Sequence, residues 1–92
     1  MEKQIYYIVK DSQDQFLADR FNSSQEAAEE INANYQKALE RGIDKRDDYY
    51  IYRVEFQREV SESGLLLSEN QSIRIWMKVQ FNEMNNRYIM DI

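Results

Sequence analysis

The chain of 92 residues contains no cysteine, no histidine and no proline, and only two glycines. Without cysteine no disulfide can form, and without cysteine and histidine there is no zinc site of the usual kind. The same two absences remove the side chains that most often serve as nucleophile or general base at neutral pH. With no proline, and glycine only at Gly42 and Gly64, forced breaks are few. Long regular elements joined by short turns are expected. Neither glycine stands in a GxGxxG or GxxxxGK[ST] pattern, so the usual phosphate loops are missing. No apolar run approaches the roughly 18 residues of a membrane-spanning helix. The opening MEKQIYYIVKD is charged too early for a secretory signal. A cytoplasmic location is expected, with no cofactor and no bound metal.

What is present fits one globular domain over residues 1–92: 42% hydrophobic, 13% aromatic and 32% charged residues, with a net charge of −5. The charge is uneven. Residues 1–48 carry 7 basic and 11 acidic residues, whereas residues 49–92 carry 5 and 6. Such a chain is repelled at long range by nucleic acid and anionic lipid and attracted to basic partners.

Gln4–Lys10, β-branched and aromatic, reads as a strand, and Gln15–Phe21 as its return after an Asp11–Asp14 turn. Ser23-Ser24-Gln25-Glu26 matches a capping box. After it Ala27, Ala28, Ile31, Tyr35, Ala38 and Leu39 recur at helical spacing, and Gly42 supplies a left-handed stop, predicting a helix over Ser24–Arg41. Tyr49–Val60 alternates as a long strand, with Tyr50, Tyr52, Val54 and Phe56 on its buried side. Leu65–Leu67 reads either as a short strand or as a helical turn plugging the core edge, and Glu69–Gln71 as loop. In Ser72–Phe81, Ile73, Ile75, Met77, Val79 and Phe81 share one side while Arg74, Trp76, Lys78 and Gln80 share the other. Tyr88–Ile92 reads as a closing strand. The order ββαβββ implies an α+β fold, with one amphipathic helix laid on a mainly antiparallel sheet of four to five strands.

Candidate chemistry is sparse. The serines fall in turns and caps, and Asp47-Asp48 and Asp11/Asp14 fall in loops where carboxylates are solvated. Neither DSQD nor DKRDD has EF-hand spacing. Two surfaces remain as partner-binding candidates. One is an acidic helix face of Glu26, Glu29, Glu30 and Glu40, continued by Asp44, Asp47 and Asp48. Its plain reading is a solvated face favoured by the helix dipole. Its sharper reading is a carboxylate array that competes for a groove binding nucleic acid. The other is a sheet face of Arg74, Trp76 and Lys78 with Arg53 on a neighbouring strand. There Trp76 would anchor a copy of the chain, a protein partner or, third in order, a nucleic-acid base.

The stretch YYIVKDSQDQFLADRFNSSQEAAEEI resembles the strand, polar turn, strand and helix of many small proteins of phages and mobile elements. Some of those inhibit host defence, including anti-CRISPR proteins. The similarity covers about the first third of the chain and carries no functional residue. It implies a small, acidic, cytoplasmic, non-enzymatic protein. The expectation is a binding protein that occludes a basic, nucleic-acid-binding protein such as a CRISPR-associated nuclease. The alternative is a homo-oligomeric accessory domain joined through the Trp76 face or an edge strand, a homodimer in its simplest form.

Overall fold

The computed structural model describes residues 2–91. Its elements are β1 (Glu2–Asp11), β2 (Phe16–Phe21), α1 (Ser24–Glu40), β3 (Tyr49–Val60), β4 (Leu66–Asn82) and β5 (Arg87–Asp91). The five strands form one sheet in the order β2-β1-β3-β4-β5, every neighbouring pair antiparallel. The fold is therefore α+β, with the expected ββαβββ order. The closing strand was also expected to include Ile92, which lies outside the described residues.

Local chemistry sets each boundary. The Asp11 carboxylate accepts the backbone N–H groups of Gln13 and Gln15, both at 2.9 Å, and folds the chain from β1 into β2. Ser23 Oγ accepts the Glu26 N–H at 3.1 Å. Glu26 in turn accepts the Asn22 N–H at 3.2 Å, one residue before the cap, so two free donors at the helix start are satisfied. At the other end Gly42 takes φ 78° while Ile43 N–H reaches back to the Ala38 carbonyl, the Schellman arrangement. Ser61 closes the β3–β4 hairpin through its backbone to Leu65 and Gly64 and through its Oγ to the Leu65 N–H.

The helix packs on one side of the sheet. Ala27, Ala28, Ile31 and Tyr35 meet Val9, Ile51, Val79 and Tyr88 in a buried cluster. Rings of Tyr35, Tyr49, Phe81 and Tyr88 meet edge to face or tilted at 5.0–5.7 Å. Seventeen helical residues extend only about 26 Å, while the seventeen residues of β4 extend about 56 Å. The distal half of the β3–β4 hairpin consequently overhangs the helix. The molecule measures 55 × 27 × 21 Å. Its radius of gyration is 16.5 Å, against about 12 Å for a compact chain of this length.

Four expectations about β3 and β4 are corrected in whole or in part. Glu69–Gln71 is strand and not loop, because it pairs in register with Phe56–Arg58. Of the two readings of Leu65–Leu67 the strand holds, since Leu66 and Leu67 open β4, and the core plug does not; all three leucines are exposed where the hairpin turns back. The alternation of β4 breaks at a bulge, since Ile51 pairs with Met77 but Tyr52 pairs with Ile75. Met77 and Phe81 pack with buried Val79 against the core under the helix. Ile73 and Ile75 instead stand on the opposite, uncovered side. In β3 the helix-side residue is Ile51, so Tyr50, Tyr52, Val54 and Phe56 line that uncovered side too, with only Val54 fully buried.

Candidate functional site

The acidic residues divide into two groups. Glu26, Glu29 and Glu40 are exposed on the outer side of α1 and Glu30 is half-buried there. Among the described residues none of these four carboxylates has a cation within ion-pair distance. Glu26 is engaged in the cap and Glu30 accepts a hydrogen bond from Asn34 at 3.3 Å. The three aspartates expected to continue the face are already neutralised. Asp44 meets Arg46 at 3.1 Å, Asp47 meets Lys45 at 3.1 Å, and Asp48 meets Lys78 at 3.5 Å. Asp44 also accepts the Tyr35 hydroxyl at 2.8 Å. The Arg46 hydrogen bond, and after it that of Tyr35, holds the Asp44 carboxyl below its usual range. The aspartates of the connection from α1 to β3 are thus paired, and of this candidate face only the helix glutamates are left without a cation among the described residues.

The second candidate group is split by the β4 bulge. Trp76, 42% exposed, lies on the helix side of the sheet beyond the helix, edge-on to Tyr7 at 6.2 Å. The guanidinium groups of Arg74 and Arg53 lie over its ring at 5.1 and 5.4 Å. Arg53 is balanced by Glu55 at 3.1 Å. Lys78 does not join them. It stands on the opposite side, over the Tyr50 ring at 5.9 Å. The expected Arg53–Arg74–Trp76–Lys78 face therefore reduces to three residues beside the helix, with the tryptophan already held by two cations.

The side of the sheet away from α1 is not among the candidates the sequence offers, and it carries exposed apolar side chains. Ile73 is 51% exposed and Ile75 61% exposed. Around them lie Tyr6, Tyr50, Tyr52 and Phe56, all half-buried. Phe16 and Ile89 extend the patch to the edge strands. Cations sit on aromatic rings here as well: Lys10 over Phe16 and Tyr52 at 5.0 and 5.1 Å, and Arg20 over Tyr6 at 4.9 Å. Tyr6 also accepts a hydrogen bond from Gln71 at 3.3 Å. A contiguous uncovered patch of this kind marks an interaction surface far more often than a solvated one. The signal available in the sequence was the run YYIYRVEF, in which both sides of β3 carry large apolar residues while one helix can cover only one of them.

The surface clefts are open dents, such as the one bordered by Tyr6, Ile8, Phe16, Arg20, Val54 and Ile73 on the sheet and the one between Ala28 and Asn32 of α1 and Tyr88 of β5. Among the described residues no three or more Asp or Glu side chains gather as a metal site requires. No helix is long and apolar enough to cross a membrane. No protein-family model matches the chain, nor does any curated protein or solved structure.

Proposed function

We propose that the protein is a non-enzymatic binding protein that acts in the cytoplasm by occluding a basic partner. The observation that carries this reading is the outer side of α1, where Glu26, Glu29, Glu30 and Glu40 have no counter-ion among the described residues while the neighbouring aspartates are paired. Carboxylates so placed attract a cationic surface and raise the rate of encounter. A protein whose groove holds nucleic acid supplies such a surface, and inhibitors of the anti-CRISPR type, with a CRISPR-associated nuclease as partner, are the corresponding class. The paired Asp44, Asp47 and Asp48 then shape the end of the helix without contributing charge.

The test is the salt dependence of association with guide-loaded nucleases in a surface-binding measurement. Glu29→Lys with Glu40→Lys leaves the cap at Glu26 intact and should slow association about tenfold at low ionic strength. An unchanged rate in that variant removes the acidic face from the reading. Failure of the native protein to bind any nuclease tried removes the nuclease assignment.

A further inference from the structure

The uncovered side of the sheet carries charge of opposite sign at its two ends. Strand register arranges its side chains in five rows across β1, β3 and β4. One end row is Lys10–Tyr50–Lys78 and the other is Glu2–Arg58–Glu69. The central row, Tyr6–Val54–Ile73, is apolar. Between the central and end rows lie Ile8–Tyr52–Ile75 on the lysine side and Gln4–Phe56–Gln71 on the glutamate side. The bulge at Trp76 is what brings Lys78 into this pattern, since without it Lys78 would share the side of Arg74.

A two-fold axis along the central row, between two stacked sheets, reverses the strand direction and lays each strand over its own copy. Lys10 then faces Glu2 of the second copy, and Lys78 faces its Glu69. Arg58 falls on the Tyr50 ring, and Ile73 meets itself on the axis. We propose that two copies associate through this face, with the helices outermost. The mutually overlapping face is three strands by five rows, about 14 by 30 Å, or on the order of 400 Å² per copy, the size of a weak and reversible association. Both counter-ions now held by the lysines are exchangeable surface partners: Asp14 at 3.2 Å from Lys10 and Asp48 at 3.5 Å from Lys78. β-Branched Ile73 in the central row and Ile75 in the row beside it suit packing against a second sheet. The dimer goes beyond the acidic-face reading and is independent of it, because it leaves both helix faces free.

Sedimentation equilibrium tests it. The native protein should shift from its 11.2 kDa towards twice that mass as its concentration rises from about 10 μM to about 1 mM. Lys10→Glu with Lys78→Glu, and separately Glu2→Lys with Glu69→Lys, should each weaken self-association by about tenfold or more through like-charge contact. An equimolar mixture of the two variants should recover association as a heterodimer, which misfolded protein could not do. A native monomer up to about 1 mM overturns the proposal, since even a weak association of this kind should be populated there. So does a dimer that both charge variants leave intact and that Ser72→Pro abolishes, since this is the signature of pairing along the open edge of β4.

Discussion

Asn32 of the helix closes the backbone of Tyr88 in the edge strand: its Nδ2 donates to the Tyr88 carbonyl at 3.0 Å and its Oδ1 accepts the Tyr88 N–H at 2.7 Å. One side-chain amide takes the place of a sixth strand. It ties α1 to β5 across 56 residues of sequence and blunts that edge against foreign pairing. Asn32→Ala leaves both backbone groups without their partner and should cost about 1–3 kcal/mol in urea unfolding. Asn32→Asp keeps the acceptor but loses the donor, and should fall between the two.

Tyr88 itself is 1% exposed, and its hydroxyl is buried with no hydrogen-bond partner among the described residues. Tyr88→Phe removes the unmatched group while keeping the ring contacts with Tyr35, Tyr49 and Phe81, and should leave stability unchanged or raise it by up to about 1 kcal/mol. Burial pushes the Tyr88 phenol, and to a lesser extent that of Tyr49, above the ordinary value of 10.0. A group kept neutral in the folded state contributes fully below its unfolded pKa and loses that contribution as pH rises towards its folded value. Melting temperature should therefore drop above about pH 10, and drop less in Tyr88→Phe.

Acid acts through the opposite sign. Asp44 is depressed by its bonds to Arg46 and Tyr35, and Glu55 by its hydrogen bond from Lys3 and then its charge. Their contributions are complete above the unfolded values near 3.8 and 4.5 and fade as pH falls through the lower folded ones. Thermal melts between pH 2 and 5 should show less acid sensitivity in Asp44→Asn than in the native chain.

The hairpin leucines offer a contrast with the core. Leu66 and Leu67 are exposed, so Leu66→Ser with Leu67→Ser should alter unfolding free energy by no more than about 0.5 kcal/mol each. A loss of several kcal/mol in the monomer would restore the core-plug reading.

The readable parts of this fold were those where local chemistry and periodicity agree. Ser23, Glu26 and Gly42 announce both ends of the helix, and the alternation of Tyr49–Val60 gives β3 its observed limits. Glu69-Asn70-Gln71 carries no hydrophobic pattern and is strand only because β3 lies beside it, a non-local cause. The bulge at Trp76 defeats strict alternation in the same way: an extra residue moves every later side chain to the other side. That single shift separated Lys78 from Trp76 and hid the row pattern of the uncovered face. Asn32 escaped notice because a polar residue on a helix is ordinary until the edge strand it satisfies is known. Of the candidate acidic face, the glutamates follow from helical geometry. The neutralised aspartates do not, since pairing with Arg46, Lys45 and Lys78 depends on how the chain enters β3.

The overhang beyond the helix has a dynamic consequence. Residues from about Phe56 to Gln71 belong to none of the packing that unites α1 with the sheet. Their amide protons should exchange with solvent through local fraying, orders of magnitude faster than those of Val9, Ile51 and Val79, which need global opening. Anything that clamps the far end of the ladder would slow the first class and leave the second untouched.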